Sequence, residues 1–129
     1  PGCREALASL HEAGYRLGIA TNDSTGGAEQ TIATLGIAQL FTAAYGYDAV
    51  ANPKPAPDTV HAFCDLTGLR PSQLAMVGDN RHDLVMGRAG GVGLTIGVLS
   101  GTGTRETLEP LADVVLASIA DLPAYLATI

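Results

Sequence analysis

The stretch Leu74 to Gly91, LAMVGDNRHDLVMGRAGG, admits few local structures. Leu74-Ala75-Met76-Val77 is an apolar run of buried-strand length, and Gly78 frees the backbone after it. From Asp79 a helical pattern then continues to the glycine pair Gly90-Gly91. A strand that passes into a helix through Gly-Asp is a junction of the α/β kind. In open sheets of that class, ligands bind where strands end and helices begin. A helix beginning at Asp79 would place Asp79 and Asp83, four residues apart, on one face. Like charges at that spacing cost roughly a few tenths of a kcal/mol unless a cation or a basic group lies between them. An acidic pair there suits a hard divalent cation with oxygen ligands, Mg²⁺ above all. The plain alternative is a capping turn, with Asp79 as N-cap and Asp83 paired with Arg81 or His82 or left in solvent, both favoured by the helix dipole.

The rest of the chain repeats the same alternation. A first helix opens at Pro1-Gly2, carries Ala6, Leu7, Leu10 and Ala13 as its apolar stripe, and closes at Gly14. Leu17-Gly18-Ile19-Ala20 reads as the first strand. It ends in the polar turn Thr21-Asn22-Asp23-Ser24-Thr25-Gly26-Gly27, ahead of a helix over Ala28 to Leu35. A second, weaker strand falls near Ala44 to Tyr47, and a helix runs from Pro57-Asp58 to about Thr67, closed by Gly68. Leu94 to Leu99 and Ala112 to Leu116 supply further strands, and Ile119 to Leu126 a closing helix. Strands and helices alternating through short links predict a parallel, doubly wound α/β sheet in a single domain over residues 1–129.

Two other junctions carry chemistry of their own. The hydroxyl of Thr21, the amide of Asn22 and backbone N–H groups at a helix start suit an anion such as phosphate. The same residue types also make an ordinary cap, which is the better reading of the turn taken alone. In Asn52-Pro53-Lys54-Pro55-Ala56-Pro57-Asp58 three prolines fix an extended loop around Lys54, the sole lysine of the chain. A lysine held between two prolines has its direction set by the backbone, as aiming an ammonium at an anionic centre requires. His61 and Cys64 read as packing or surface residues rather than ligands.

Composition removes whole classes of function. With 129 residues and 47% hydrophobic content the chain can bury a core. Its net charge of −6 argues against nucleic acid or anionic lipid as a main partner. No apolar run reaches bilayer length and no basic-then-apolar leader opens the sequence, so neither membrane nor export is signalled. Cys3 and Cys64 lie far apart without metal-ligand spacing, which reads as reduced thiols in a cytoplasmic protein.

Thr21-Asn22 after one strand, Lys54 in KPAPD, and Asp79 with Asp83 in GDNRHD after another strand follow each other in an order that resembles the haloacid dehalogenase-like hydrolase superfamily. The likeness is greatest to its phosphoglycolate-phosphatase-like branch. It covers nearly the whole chain, through PGCREALASLHEAGYRLGIATN, NPKPAPD and MVGDNRHD with its AGG helix end. The resemblance implies a Mg²⁺-dependent phosphohydrolase of small phosphorylated metabolites that works through an aspartyl-phosphate intermediate. Thr21 would hydrogen-bond the transferring phosphoryl group, with Asn22 beside it. Lys54 would neutralise charge between nucleophile and phosphate. Asp79 would ligate Mg²⁺, while Asp83 would orient that shell and Lys54.

The sequence departs from the family pattern in one respect. The D-x-D-G-T strand with which family members begin, and which carries the nucleophile and the general acid/base, occurs nowhere in residues 1–129, and neither does a cap domain. The expectation is therefore a family core without its nucleophile, inactive as it stands. In the resembled fold that strand lies centrally. Its absence would leave the strands ending at Ala20 and Val77 unpaired, to be completed by an N-terminal segment or by self-association. A second reading keeps the phosphate and metal sites for a non-catalytic, regulatory module. Haloacid dehalogenation proper is disfavoured, because halide displacement from an alkyl carbon needs no metal.

Overall fold

Two parallel ladders carry the fold, and they are separate. A computed structural model describes residues 3–21, 24–46, 48–50, 57–99 and 103–128. In chain order the elements are α1 (Cys3–Glu12), β1 (Leu17–Ala20), α2 (Thr25–Thr34), β2 (Phe41–Tyr45), α3 (Asp58–Thr67), β3 (Ala75–Gly78), α4 (Arg81–Gly90), β4 (Leu94–Val98), α5 (Arg105–Leu108), β5 (Val114–Leu116) and α6 (Leu122–Leu126). Short 3₁₀ turns at Ala38–Leu40, Pro71–Gln73 and Ile119–Asp121 lead into β2, β3 and α6. The parallel α/β class expected from the sequence is the one observed.

β1 pairs with β2 through Gly18–Ala43, Ile19–Ala44 and Ala20–Tyr45. β3, β4 and β5 form the second ladder in that order, from Ala75 opposite Leu94 to Val98 opposite Leu116. Among the described residues no ladder joins β1 to β3. β1 thus keeps an unpaired edge on the side away from β2, and β3 keeps one on the side away from β4.

Helices span the break on both faces. Strand side chains alternate between faces, and Leu17 and Ile19 pack with Leu7, Ile32 and Ile37, the buried residues of α1, α2 and the turn after α2. One helical turn on, Leu10 joins Ile96 and Leu122 in a second cluster that also takes Leu17, Val77 and Leu94. Helix α1 therefore contributes to the core beneath both ladders, and Leu17 belongs to both clusters. On the opposite face Phe63 of α3 covers Gly18 so closely that a Cβ there would lie 2.7 Å from its ring. Val60, from the same helix, sits against Gly90 of α4. Helix α1 thus packs on one face of both ladders, and α3 on the opposite face of β1.

Several boundaries moved from their expected places. Helix α2 starts at Thr25 rather than Ala28, because the Ser24 side chain accepts from Gly27 N–H at 3.0 Å and carries the helix through the glycine pair. Strand β2 begins at Phe41, earlier than expected, and the expected end at Tyr47 lies outside the described residues. Strand β5 starts at Val114, since Asp113 is occupied by Thr95: their N–H groups are bound to each other's side-chain or backbone oxygens at 2.8 Å. Helices α3 and α4 end as expected, on left-handed Gly68 and Gly91 with φ of 76° and 78°.

Candidate functional site

The chemistry expected of Asp79 and Asp83 is built on three consecutive backbone events at the end of β3. Gly78, buried, closes the strand. Asp79 follows in a bend, half-buried, and Asn80, in extended backbone, caps α4 by accepting from His82 N–H at 2.7 Å. The helix therefore begins at Arg81, not at Asp79. This corrects the shared helix face expected from the spacing: Asn and Asp are near-equal as caps, and it is Asn80 that takes the position.

What sets the position of Asp83 is the glycine. Asp83 is the third helical residue and only 7% exposed. It folds back over β3 so tightly that a Cβ on Gly78 would lie 2.2 Å from its Cβ and 2.7 Å from Oδ2. Any side chain at position 78 occupies the place of the Asp83 carboxyl. Asp79 is held from the other side. Its carbonyl accepts from Gly103 N–H at 2.8 Å, and a Cβ at Gly103 would come within 2.3 Å of that same oxygen. The β4–α5 loop thus fixes the peptide that presents Asp79.

Both residues are oxygen donors at a strand's C-terminal end, which fits a hard cation. No group of three or more His, Cys, Asp or Glu among the described residues could hold a metal ion. Two carboxylates fall short of the six or so oxygens such an ion takes, so phosphate, water or further protein oxygens must supply the rest.

Thr21 stands one residue past β1, as Asp79 stands one residue past β3. Its N–H extends the β1–β2 ladder by donating to the Tyr45 carbonyl at 2.9 Å. In the turn after it, two backbone N–H groups at the start of α2 have protein partners. The N–H groups of Thr25 and Gly27 both donate to protein oxygens, of Asp48 and Ser24. Ser24 thus serves as the N-cap of α2. Asn22 and Lys54 lie outside the described residues.

Asp48, three residues beyond β2, was not singled out by the sequence. Its Oδ1 accepts from both the N–H and the hydroxyl of Thr25, each at 2.7 Å. Those bonds, the hydroxyl's first, hold the Asp48 carboxyl below the usual carboxylate range. The available signal was an acid just after a strand and before the proline loop.

His61, Cys64, Asp65 and Arg70 line an open depression near the N-terminal approach to β3, at the opposite end from Asp79. Burial, and then the Asp65 charge, push the Cys64 thiol up. That opposes nucleophilic use near neutral pH. The Tyr45 hydroxyl is raised by the same two causes in the same order.

Comparisons with known proteins show what the chain is similar to. The family model described as haloacid dehalogenase-like hydrolase matches residues 1–97. The chain is 34% identical over 110 residues to a phosphoglycolate phosphatase of Haemophilus influenzae, covering 83% of this chain and 49% of that protein. It is 35% identical over 125 residues to the phosphoglycolate phosphatase of Escherichia coli K12, covering 95% and 48%. The chain thus spans about half the length of these curated relatives. Its fold matches the crystal structure of a predicted phosphoglycolate phosphatase from Haemophilus somnus with a TM-score of 0.90 at 26% identity, over 98% of this chain and 56% of that one.

Proposed function

The chain belongs to the haloacid dehalogenase-like hydrolase family, and from that premise we propose that residues 1–129 form the phosphate- and metal-handling part of a phosphatase for small phosphate monoesters such as phosphoglycolate. The observation that carries this reading is the end of β3, where Asp83 is buried against Gly78 and the Asp79 peptide is tied to Gly103. An acid that is merely solvated or capping needs neither a bare glycine beneath it nor a second loop to fix it.

The division of labour follows from the side chains. Asp79 and Asp83 would hold Mg²⁺, which when bound supplies charge neutralisation for the phosphoryl group. Thr21 donates its hydroxyl to a phosphoryl oxygen, with Asn22 alongside. Lys54 brings a positive charge to the same oxygens from a loop whose prolines restrict its approach. The nucleophilic carboxylate comes from a strand seated between β1 and β3, because residues 1–129 hold no D-x-D pair. Phosphoryl transfer asks mostly for positioning and electrostatics, and these residues supply both.

The test is phosphate release by a polypeptide that joins these residues to the nucleophile strand, with phosphoglycolate as substrate and Mg²⁺ present. Lys54→Ala should cut turnover by about 10²–10³-fold, the usual cost of one oxyanion-stabilising group. The melting temperature should barely move. Full activity with a lowered melting temperature would make Lys54 a structural residue instead.

Residues 1–129 alone should bind Mg²⁺ more weakly than micromolar, since two carboxylates leave most of the coordination shell to water. Calorimetric titration measures this directly. A submicromolar affinity that disappears in Asp79→Ala would mean the metal site is complete without a further strand, and would favour the non-catalytic reading.

A further inference from the structure

We propose that Asp48 is a positioning residue, one that pins the start of α2 to the segment after β2 and so holds Thr21, at the end of β1, in one geometry at the phosphate site. This rests on the function proposed above. Four hydrogen bonds cross between residues 21–25 and 45–48. Thr21 N–H donates to the Tyr45 carbonyl at 2.9 Å, and Gly46 N–H donates to the Thr25 hydroxyl oxygen at 3.0 Å. Thr25 then donates its own N–H and its hydroxyl to Asp48 Oδ1, each at 2.7 Å. The Thr25 hydroxyl is the hub, accepting from one side of the segment and donating to the other.

An ordinary capping role does not account for this arrangement. Helix α2 already has its N-cap in Ser24, which accepts from Gly27 N–H. Asp48 comes from a segment 23 residues away and engages the Thr25 side chain as well as its amide. Charge-assisted bonds of this length are about twice as strong as neutral ones, so an ionised Asp48 is a firmer tie than a hydroxyl cap would be. Thr21 lies four residues before Thr25, and Lys54 six residues after Asp48. Each end of the tie is therefore a short stretch of backbone from a proposed phosphate ligand.

Amide hydrogen exchange on isotopically labelled chain 1–129 tests the tie without any catalysis. Asp48→Ala should speed exchange at Thr21 and Gly46 together, by about two- to fivefold, the worth of a solvent-exposed charged contact. Thr25→Val should reproduce that pattern, whereas Asp48→Asn, which keeps the accepting oxygen, should restore most of the protection. Ser24→Ala removes the cap alone and should loosen only the first turn of α2. If Asp48→Ala and Thr25→Val disturb only that first turn, as Ser24→Ala does, Asp48 is a second cap and the proposal falls. Inorganic phosphate with Mg²⁺ added to the same samples reports on the function separately. A wild-type chain extended by the nucleophile strand that shows no response to it would remove the phosphatase reading, while the exchange pattern still decides the role of Asp48.

Discussion

Joining residues 1–129 to a β-strand that carries the D-x-D pair should change phosphate-monoester hydrolysis from background to turnover, and should stabilise the fold in the same step. The two effects have separate causes. The stabilisation comes from the slot between β1 and β3. Among the described residues β1 and β3 each lack a ladder partner on one side, while Leu7 and Leu10 of α1 pack on one face of the ladders and Phe63 of α3 on the other face of β1. A strand entering there meets backbone partners on both sides and apolar surface on both faces. Each kcal/mol gained raises the melting temperature of a domain this size by roughly 3–5 °C. Several net hydrogen bonds of about 1 kcal/mol each should therefore add on the order of 10 °C. The activity comes from the carboxylates on the strand, not from its backbone. Replacing both aspartates by asparagine should keep the thermal gain and abolish phosphate release. A fusion that folds without any gain in melting temperature would show that the slot does not accept a strand. Amide exchange showing β1 and β3 bonded directly to each other would show the same.

How much of this was legible in the sequence depends on the range of the interactions involved. The β3–α4 junction was legible because its cues are local: an apolar run, a glycine, and a left-handed glycine at the far end of the helix. The helix start was not, because Asp79 and Asn80 are competing caps and only the backbone decides between them. Starting at Arg81 leaves Asp79 outside the helix, so the two acids are not neighbours on one helix face. β2 was placed too late, because the 3₁₀ turn Ala38–Leu40 runs directly into the strand at Phe41 with no turn residue to mark its start. The slot was legible only through a resemblance, since nothing in the composition of Leu17–Ala20 says which neighbour it lacks. The roles of Asp48 and Gly103 were not legible, although Asp48 does stand as an acid between a strand and the proline loop. Their meaning lies in Thr25 and Asp79, each more than twenty residues away in sequence.

Gly78→Val should disable the site from beneath, and a second substitution can show how. A Cβ at position 78 falls 2.2 Å from the Cβ of Asp83, well inside contact distance, and the obstruction is the first atom of the side chain rather than a flexible tip. Asp83 cannot swing clear by a rotamer change alone, so α4 must shift away from β3. Overpacking of this kind costs about 1–3 kcal/mol. A displacement near 1 Å at a reacting centre costs about 10²-fold in rate. Gly78→Val should therefore lower the melting temperature and, in the strand-completed enzyme, reduce turnover by at least about two orders of magnitude. Gly78→Ala should do the same to a lesser degree. Adding Asp83→Gly to Gly78→Ala removes the opposing Cβ, so the double variant should recover much of the lost stability. It should recover none of the lost turnover, because the carboxyl is gone. The single variant Asp83→Asn, which keeps the side-chain volume, should lose turnover with little loss of stability. If the double variant regained activity, Asp83 would be a packing residue and the chemistry would rest on Asp79 alone. If Gly78→Val left both stability and turnover intact, the close approach of Asp83 to the strand would not be a constraint on the site.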